Sequence, residues 1–554
     1  MRQSQVIDLP FPIKGLVEIT AKREQPELTT LAVQNMRAFS PTTGRSRGSQ
    51  RAGILKYSSS QVNGSSRVQD LSQITSVSTA TAALSTLQIR TIKLLAVSNG
   101  TIRIVTPTTS TAPAFGSNTL SATAPVIFSA PMFGVMYYTD GASAPVQYTS
   151  STDTLAAWTA SSGAFPISGS DYPRLIELWR GRIVMSGIKS DPHNWFMSAV
   201  GEPRNYDYAP VPEVETQAVA GNASTLGKVG DVVMTIIPYN DDLLIFGCDH
   251  EIWQMTGDPA SGGRLDRVSG ITGMSWGRPW CLSPEGQVYF FGSRGGVYRM
   301  TPGESPVRIT AASIDDRMSE INLDKNIVRL VWNDKEIGFH VFVTNLIGQS
   351  VENYFYDVRN EAWFVDKFGS QNHYPVATHV FDGDNPNDRS ILLGSNDGYI
   401  RYLTDTSSSD DGTAIDSFVT LGPILVENGE VPFIVREVQA ILQAGSSDVT
   451  YELAVGNSLE DISFNAVGDG QILFENGDGI LLEDGSGVLI GESDAYLANS
   501  TGEFSPRRSV VRSPRRRGYG GYLRLQNDSV GESWEMENAR CVVSAISSSK
   551  RRGN

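Results

Sequence analysis

"DLLIFGCDHEIWQM" (242–255) sets an apolar run, Leu243 to Phe246, against a second run in which apolar and polar side chains alternate, Ile252 to Met255, across a small residue and a polar bend. That pattern is a β-hairpin. It recurs in "TIKLLAVSNGTIRIV" (91–105), "GRIVMSGIKSDPHNWFMS" (181–198), "QVYFFGSRGGVYRM" (287–300) and "SILLGSNDGYIRYL" (390–403), each with its small residue (Ala96, Gly187, Gly247, Gly292, Gly394) before the turn. Asn99-Gly100 and Asp397-Gly398 mark tight turns, because these pairs accept positive φ. Cys248-Asp249-His250-Glu251 occupies the place that Ser-Asn-Gly or Asn-Asp-Gly takes elsewhere. It is read as a solvated bend, not a reactive constellation.

Hairpins recurring at variable intervals point to the inner strands of propeller blades with inserted loops, the preferred reading, or to a series of β-domains. Composition agrees: 53 Gly and 27 Pro interrupt the Leu, Ile and Val runs, favouring short strands over long helices. At 554 residues more than one domain is expected. The fold expected is mainly β: an N-terminal arm with first strands over 1–55, a β-propeller over 56–404, a Ser- and Asp-rich linker over 405–416, and a second, C-terminal β domain over 417–554. Inside that last region "ILFENGDG", "ILLEDGSG" and "VLIGESDA" (472–495) repeat at eight-residue spacing, as a small meander or protruding hairpin.

Charge narrows the function. A formal net charge of −15 argues against a general nucleic-acid binder, which needs basic surface to neutralise phosphate. Three cysteines, Cys248, Cys281 and Cys541, lie far apart without a CxxC, so neither a disulfide framework nor a zinc knuckle is expected. The start, "MRQSQVIDLPFPIKG", lacks a signal-peptide apolar core, and no run approaches the roughly 18 apolar residues of a membrane span. Synthesis in a cytoplasm is expected.

Sites of chemistry are few. "GNASTLGKVG" (221–230) departs twice from a phosphate loop, with five residues between Gly221 and Gly227 and Val229 after Lys228. "FDGDNPNDRS" (381–390) offers Asp382, Asp384, Asn387 and Asp388 as calcium donors but lacks the EF-hand glycine and terminal glutamate. His193, His250, His340, His373 and His379 show no metal-site spacing, and no Gly-x-Ser-x-Gly elbow occurs. No catalytic, cofactor or metal residue is assigned. "SPRRSVVRSPRRRGYGGYLRLQ" (505–526) concentrates Arg507, Arg508, Arg512, Arg515, Arg516 and Arg517 in an acidic chain. These guanidinium forks suit carboxylates or phosphates, and contact with a neighbouring subunit or partner is the preferred reading.

Several stretches, in collinear order, resemble the tail hub or nozzle (tail tubular, packaged-DNA stabilisation) proteins of short-tailed bacteriophages: 13–54, "LWRGRIVMSGIKSDPHNWFMSAVGEPRNYD" (178–207), 239–257, 268–315 and "SPRRRGYGGYLRLQNDSVGESWEMENARCVV" (513–543). Ala52 stands where that family has a proline, and 472–495 has no counterpart in it. The resemblance implies a non-enzymatic virion protein of the viral tail: a homohexameric ring below the portal and its adaptor (head-completion) ring. Such a ring extends the DNA channel, retains packaged genome, conducts double-stranded DNA during ejection without reading its sequence, and offers surfaces to tail needle or fibre and spike proteins. An acidic wall suits such a conduit, since a basic one would hold DNA. Two alternatives are a soluble β-propeller binding module or adhesin, and a carbohydrate-active propeller enzyme, which would need acidic residues clustered on one channel face.

Overall fold

A computed structural model describes residues 4–77, 90–107, 110–111, 114–115, 119–348, 351–383, 389–460, 462, 464, 498–512 and 517–546. The protein is mainly β, with a single short α-helix, Asp315–Ser319, among the described residues. The chain divides into two compact units: residues 52–359 with 366–413, and residues 1–51 with 360–365 and 414–554.

The first unit is the β-propeller. Six antiparallel-based sheets of at least four strands follow one another along the chain, and between the fifth and sixth come the three consecutive antiparallel strands Asn326–Asn333, Gly338–Asn345 and Asn353–Asp357. Their first strands are neighbours round an axis: Val68–Val77 lies beside Phe128–Met132, which lies beside Leu175–Trp179, then Val233–Asn240. Trp280–Leu282 adjoins Asn326–Asn333, which adjoins Pro375–Phe381, and that strand returns to Val68–Val77. Separate apolar clusters fill the wedges between sheets. Leu95, Val97, Tyr138 and Tyr148 fill one, Ile245, Met274 and Phe290 another, and Val331, Phe342 and Leu393 a third. Tyr289 bridges a further wedge, its ring 4.6 Å from that of Phe339.

Position in a blade explains the sequence pattern. Second strands such as Arg182–Ile188 and Gly338–Asn345 are buried along their whole length, because a neighbouring sheet covers each face. Fourth strands such as Arg264–Ser269 are mostly half-buried or exposed. The five hairpins recognised in the sequence are therefore second and third strands, and the innermost strand precedes each of them. At Asn99-Gly100 both residues take positive φ (51° and 70°), as the tight turn requires. At Asp397-Gly398 only the glycine does, and the Asp397 carboxylate instead accepts two hydrogen bonds from Arg401 (2.9 and 2.8 Å).

The ring closes with chain from its beginning. Gly53–Lys56 pairs antiparallel with Ile400–Thr404 as the outer strand of the last blade. The stretch 405–416, expected as a linker, is largely part of this closure. Asp410 pairs with Ile54, Ser407 accepts from Gly53 N (3.0 Å), and Asp411 gives its carboxylate to Arg401 (2.9 Å). Its polar residues are used in backbone and ion-pair contacts, so a linker-like composition conceals ordered chain.

The second unit holds two sheets. In one, Met36–Phe39, Ser46–Gln50, Glu535–Ala545, Phe433–Leu442 and Arg507–Arg512 lie in that order, and Ser4–Leu9 also pairs with Glu535–Ala545. In the other, Val33–Gln34 leads to Ser417–Leu425, Gly520–Asn527, Val449–Gly456 and Ala498–Phe504. Fully buried Trp534 donates its indole N–H to Ser417 Oγ (2.8 Å), tying the two sheets. The expected N-terminal arm is thus no separate element: residues 4–50 supply strands to the C-terminal β domain. The repeat at 472–495 lies outside the described residues.

Candidate functional site

The opening constellation is a bend with one correction. Cys248 is the last residue of the strand Leu243–Cys248, not part of the turn, and its thiol is buried, with the sulfur 3.9 Å from the Phe246 carbonyl. Burial, and then the carboxylates of Asp231, Glu251 and Asp249, push that thiol well above its ordinary range. His250 is exposed beside Asp249 and Asp231, and Glu251 accepts from Arg267 and from the Trp253 indole (both 2.8 Å). Cys281 and Cys541 are buried too, the latter thiol pushed up to about 12 by burial.

The other sequence candidates disperse. In 221–230, Lys228 pairs with Asp191 (2.7 Å) and Gly227 O accepts the Trp195 indole N–H, so the segment braces a blade. In 381–390, Asp382 lies 3.4 Å from the Arg389 guanidinium, while Asp384, Asn387 and Asp388 fall outside the described residues. The arginine-rich segment forms the strand Arg507–Arg512, which pairs with Phe433–Leu442. Arg507 and Arg508 are exposed, Arg508 donates to Gln439 (3.1 Å), Arg512 stands opposite Glu437 in register, and exposed Arg517 pairs through its backbone with Ile434. Arg515 and Arg516 lie outside the described residues.

What the fold brings together is a set of charges on the propeller axis. A cleft of about 570 Å³ is lined by the first strands of several blades, among them Ser72 and Gln73, Ser129 and Pro131, Glu177, Trp280, Arg329 and His379. The loop residue Arg278 crosses it. Its Nε donates to Glu177 Oε1 (2.8 Å) and its Nη2 to the Ser129 carbonyl (2.7 Å), and Ser129 Oγ donates to Asp70 (2.6 Å). Burial raises the Glu177 and Asp70 carboxyls, against the pull of Arg278. Burial works against the Arg278 charge as well, but Glu177 and Asp70 outweigh it and hold that guanidinium above its usual range. Burial and the nearby Arg278 lower His379 to about 4, so its imidazole is neutral near pH 7.

Sequence reading missed this group because its members are scattered over more than 300 residues. One signal was legible: Glu177 in "LIELW" and Arg329 in "IVRLVW" are single charges inside apolar strands, where a charge needs a built environment.

Neither protein-family profiles nor curated proteins give a match to the chain. Solved structures similar to it include YCF48 from Cyanidioschyzon merolae (10% identity, 64% of this chain and 99% of that one, TM-score 0.36). BamB from Moraxella catarrhalis is another (9%, 64% and 98%, 0.34). A third is the extracellular domain of a hybrid two-component system from B. thetaiotaomicron (10%, 66% and 45%, 0.39), of which this chain spans less than half.

Proposed function

We propose that the protein is a structural subunit of a short-tailed phage tail, a hub or nozzle that assembles as a ring beneath the portal adaptor and conducts the genome. One observation carries the reading. The two ends of the collinear resemblance, 13–54 and 513–543, come together in one sheet, Ser49 opposite Glu535 and Gly48 opposite Met536. That pairing puts strands from the two ends of the resemblance in one unit, while its three middle stretches, 178–207, 239–257 and 268–315, lie in the propeller.

The net charge of −15 suits a passage that releases DNA. The exposed guanidiniums of Arg507, Arg508 and Arg517 suit contact with an acidic face of a neighbouring subunit, which a closed ring of unlike faces needs. The work done is mechanical and electrostatic, without catalysis.

Native mass spectrometry and negative-stain imaging, alone and with the adaptor ring, test this. A sixfold ring with an axial hole, or a monomer that forms one on the adaptor, is expected. A monomer indifferent to the adaptor overturns it. Reversing Arg507, Arg508 and Arg515–Arg517 to glutamate should impair ring formation, and unchanged assembly would reject the arginine contact.

A further inference from the structure

Arg329 sits in the axial cleft on the strand Asn326–Asn333, only 4% exposed. Its Nε donates to the Val376 carbonyl (3.2 Å), and among the described residues no carboxylate stands within 4 Å of its guanidinium. Arg278, by contrast, has Glu177. A buried guanidinium with one backbone acceptor leaves most of its donor fork unused, and such a charge is costly unless something answers it.

We propose that the axial cleft of the propeller binds a carboxylate group on Arg329. This goes beyond the tail reading and does not rest on it. The guanidinium fork matches a planar carboxylate through two parallel N–H···O bonds. A dianionic phosphate is disfavoured relative to a singly charged carboxylate, because Glu177 and Asp70 line or adjoin the same space and oppose each added negative charge. The cleft walls are also apolar at Pro131, Met136, Trp280 and Leu330, which suits the carbon skeleton of an acid. Burial, and then repulsion from Arg278, lower Arg329 to about 10 against the weaker pull of Asp70 and Glu177, a shift that an incoming anion would relieve.

Two sources share this chemistry: a free small organic acid, and an aspartate or glutamate side chain of a partner protein inserted into the mouth. Full-length protein is titrated with sodium acetate and with a short neutral peptide bearing one glutamate, each against its uncharged amide at matched ionic strength. Intrinsic fluorescence is followed, since Trp280 and Trp332 line the cleft, together with thermal unfolding. Saturable fluorescence change and a Tm rise of about 2–4 °C at saturating ligand are expected. Acetate binding identifies the free acid, and binding of the peptide alone identifies the side chain.

Arg329→Met should abolish both responses, and Arg329→Lys should weaken them at least tenfold while keeping the charge. Arg389→Met, at the exposed rim where Asp334 already pairs with it (2.8 Å), should leave them intact. No saturable response to either probe in the wild-type protein overturns the proposal. So does a response that Arg329→Lys leaves unchanged.

Discussion

Arg278 Nε lies 2.8 Å from Glu177 Oε1, a partly buried ion pair that joins a loop to a strand of another blade about a hundred positions earlier in the chain. Removing one partner strands the other. Arg278→Met should cost about 1–3 kcal/mol, between the values for exposed and fully buried pairs, because Glu177 must then stay charged without a counter-ion or take up a proton. The double variant Arg278→Met, Glu177→Gln should recover much of that loss. Urea denaturation of the two single variants and the double one gives the coupling directly, and simple additivity would mean that the pair contributes nothing.

His379 supplies a pH dependence with a defined sign. Its folded value of about 4 lies below the unfolded 6.5, so the unfolded chain binds more protons between those limits. The contribution is favourable above pH 6.5 and is lost as pH falls towards 4, by roughly 3 kcal/mol in all. Asp70 and Glu177 act in the opposite direction, since raised carboxyls favour the folded protein at low pH. The difference between wild type and His379→Gln isolates the imidazole. Wild-type stability should drop more steeply than that of the variant between pH 6.5 and 4, and parallel curves would contradict a neutral His379.

Closure of the ring depends on the absence of a side chain at Gly53. A Cβ there would stand 2.4 Å from the Ser409 carbonyl oxygen and 2.7 Å from that of Ser407, backbone atoms that cannot swing aside. Gly53→Ala should destabilise the propeller by about 1–3 kcal/mol and open the 53–56 and 400–413 region to limited proteolysis. Gly445→Ala, with no atom within 4 Å, serves as the control and should stay within about 0.5 kcal/mol of wild type. Equal cleavage in both would rule out the steric account.

Much of this architecture was legible because propeller second strands are covered on both faces and so read as unbroken apolar runs. "GRIVMSGI" and "LLIFGC" are of this kind. The blade over Phe128–Ala157 escaped notice, since "VMYYT" and "VQYT" bury tyrosines whose hydroxyls look polar in sequence. Long-range pairing was not legible at all. Nothing in "SQVIDL" states that its partner is "ARCVVS" more than 500 residues later, and nothing in "DTSSSDDG" states that Asp411 answers Arg401. Arg278 lies in a loop, "MSWGRPW", where a charge looks ordinary, and only the closed ring brings it into the axial cleft.

Pairing of Ser4–Leu9 with Ala539–Ser544 sets the order of events during synthesis. Strands Ser4–Leu9 and Ser46–Gln50 are made before their partner Glu535–Ala545, which leaves the ribosome only roughly 480 residues after residue 50, while each blade can collapse soon after it emerges. For that interval the nascent chain carries bare strand edges, so crowding of polysomes or loss of holdase chaperones should lower the yield of this protein more than mutations within any single blade.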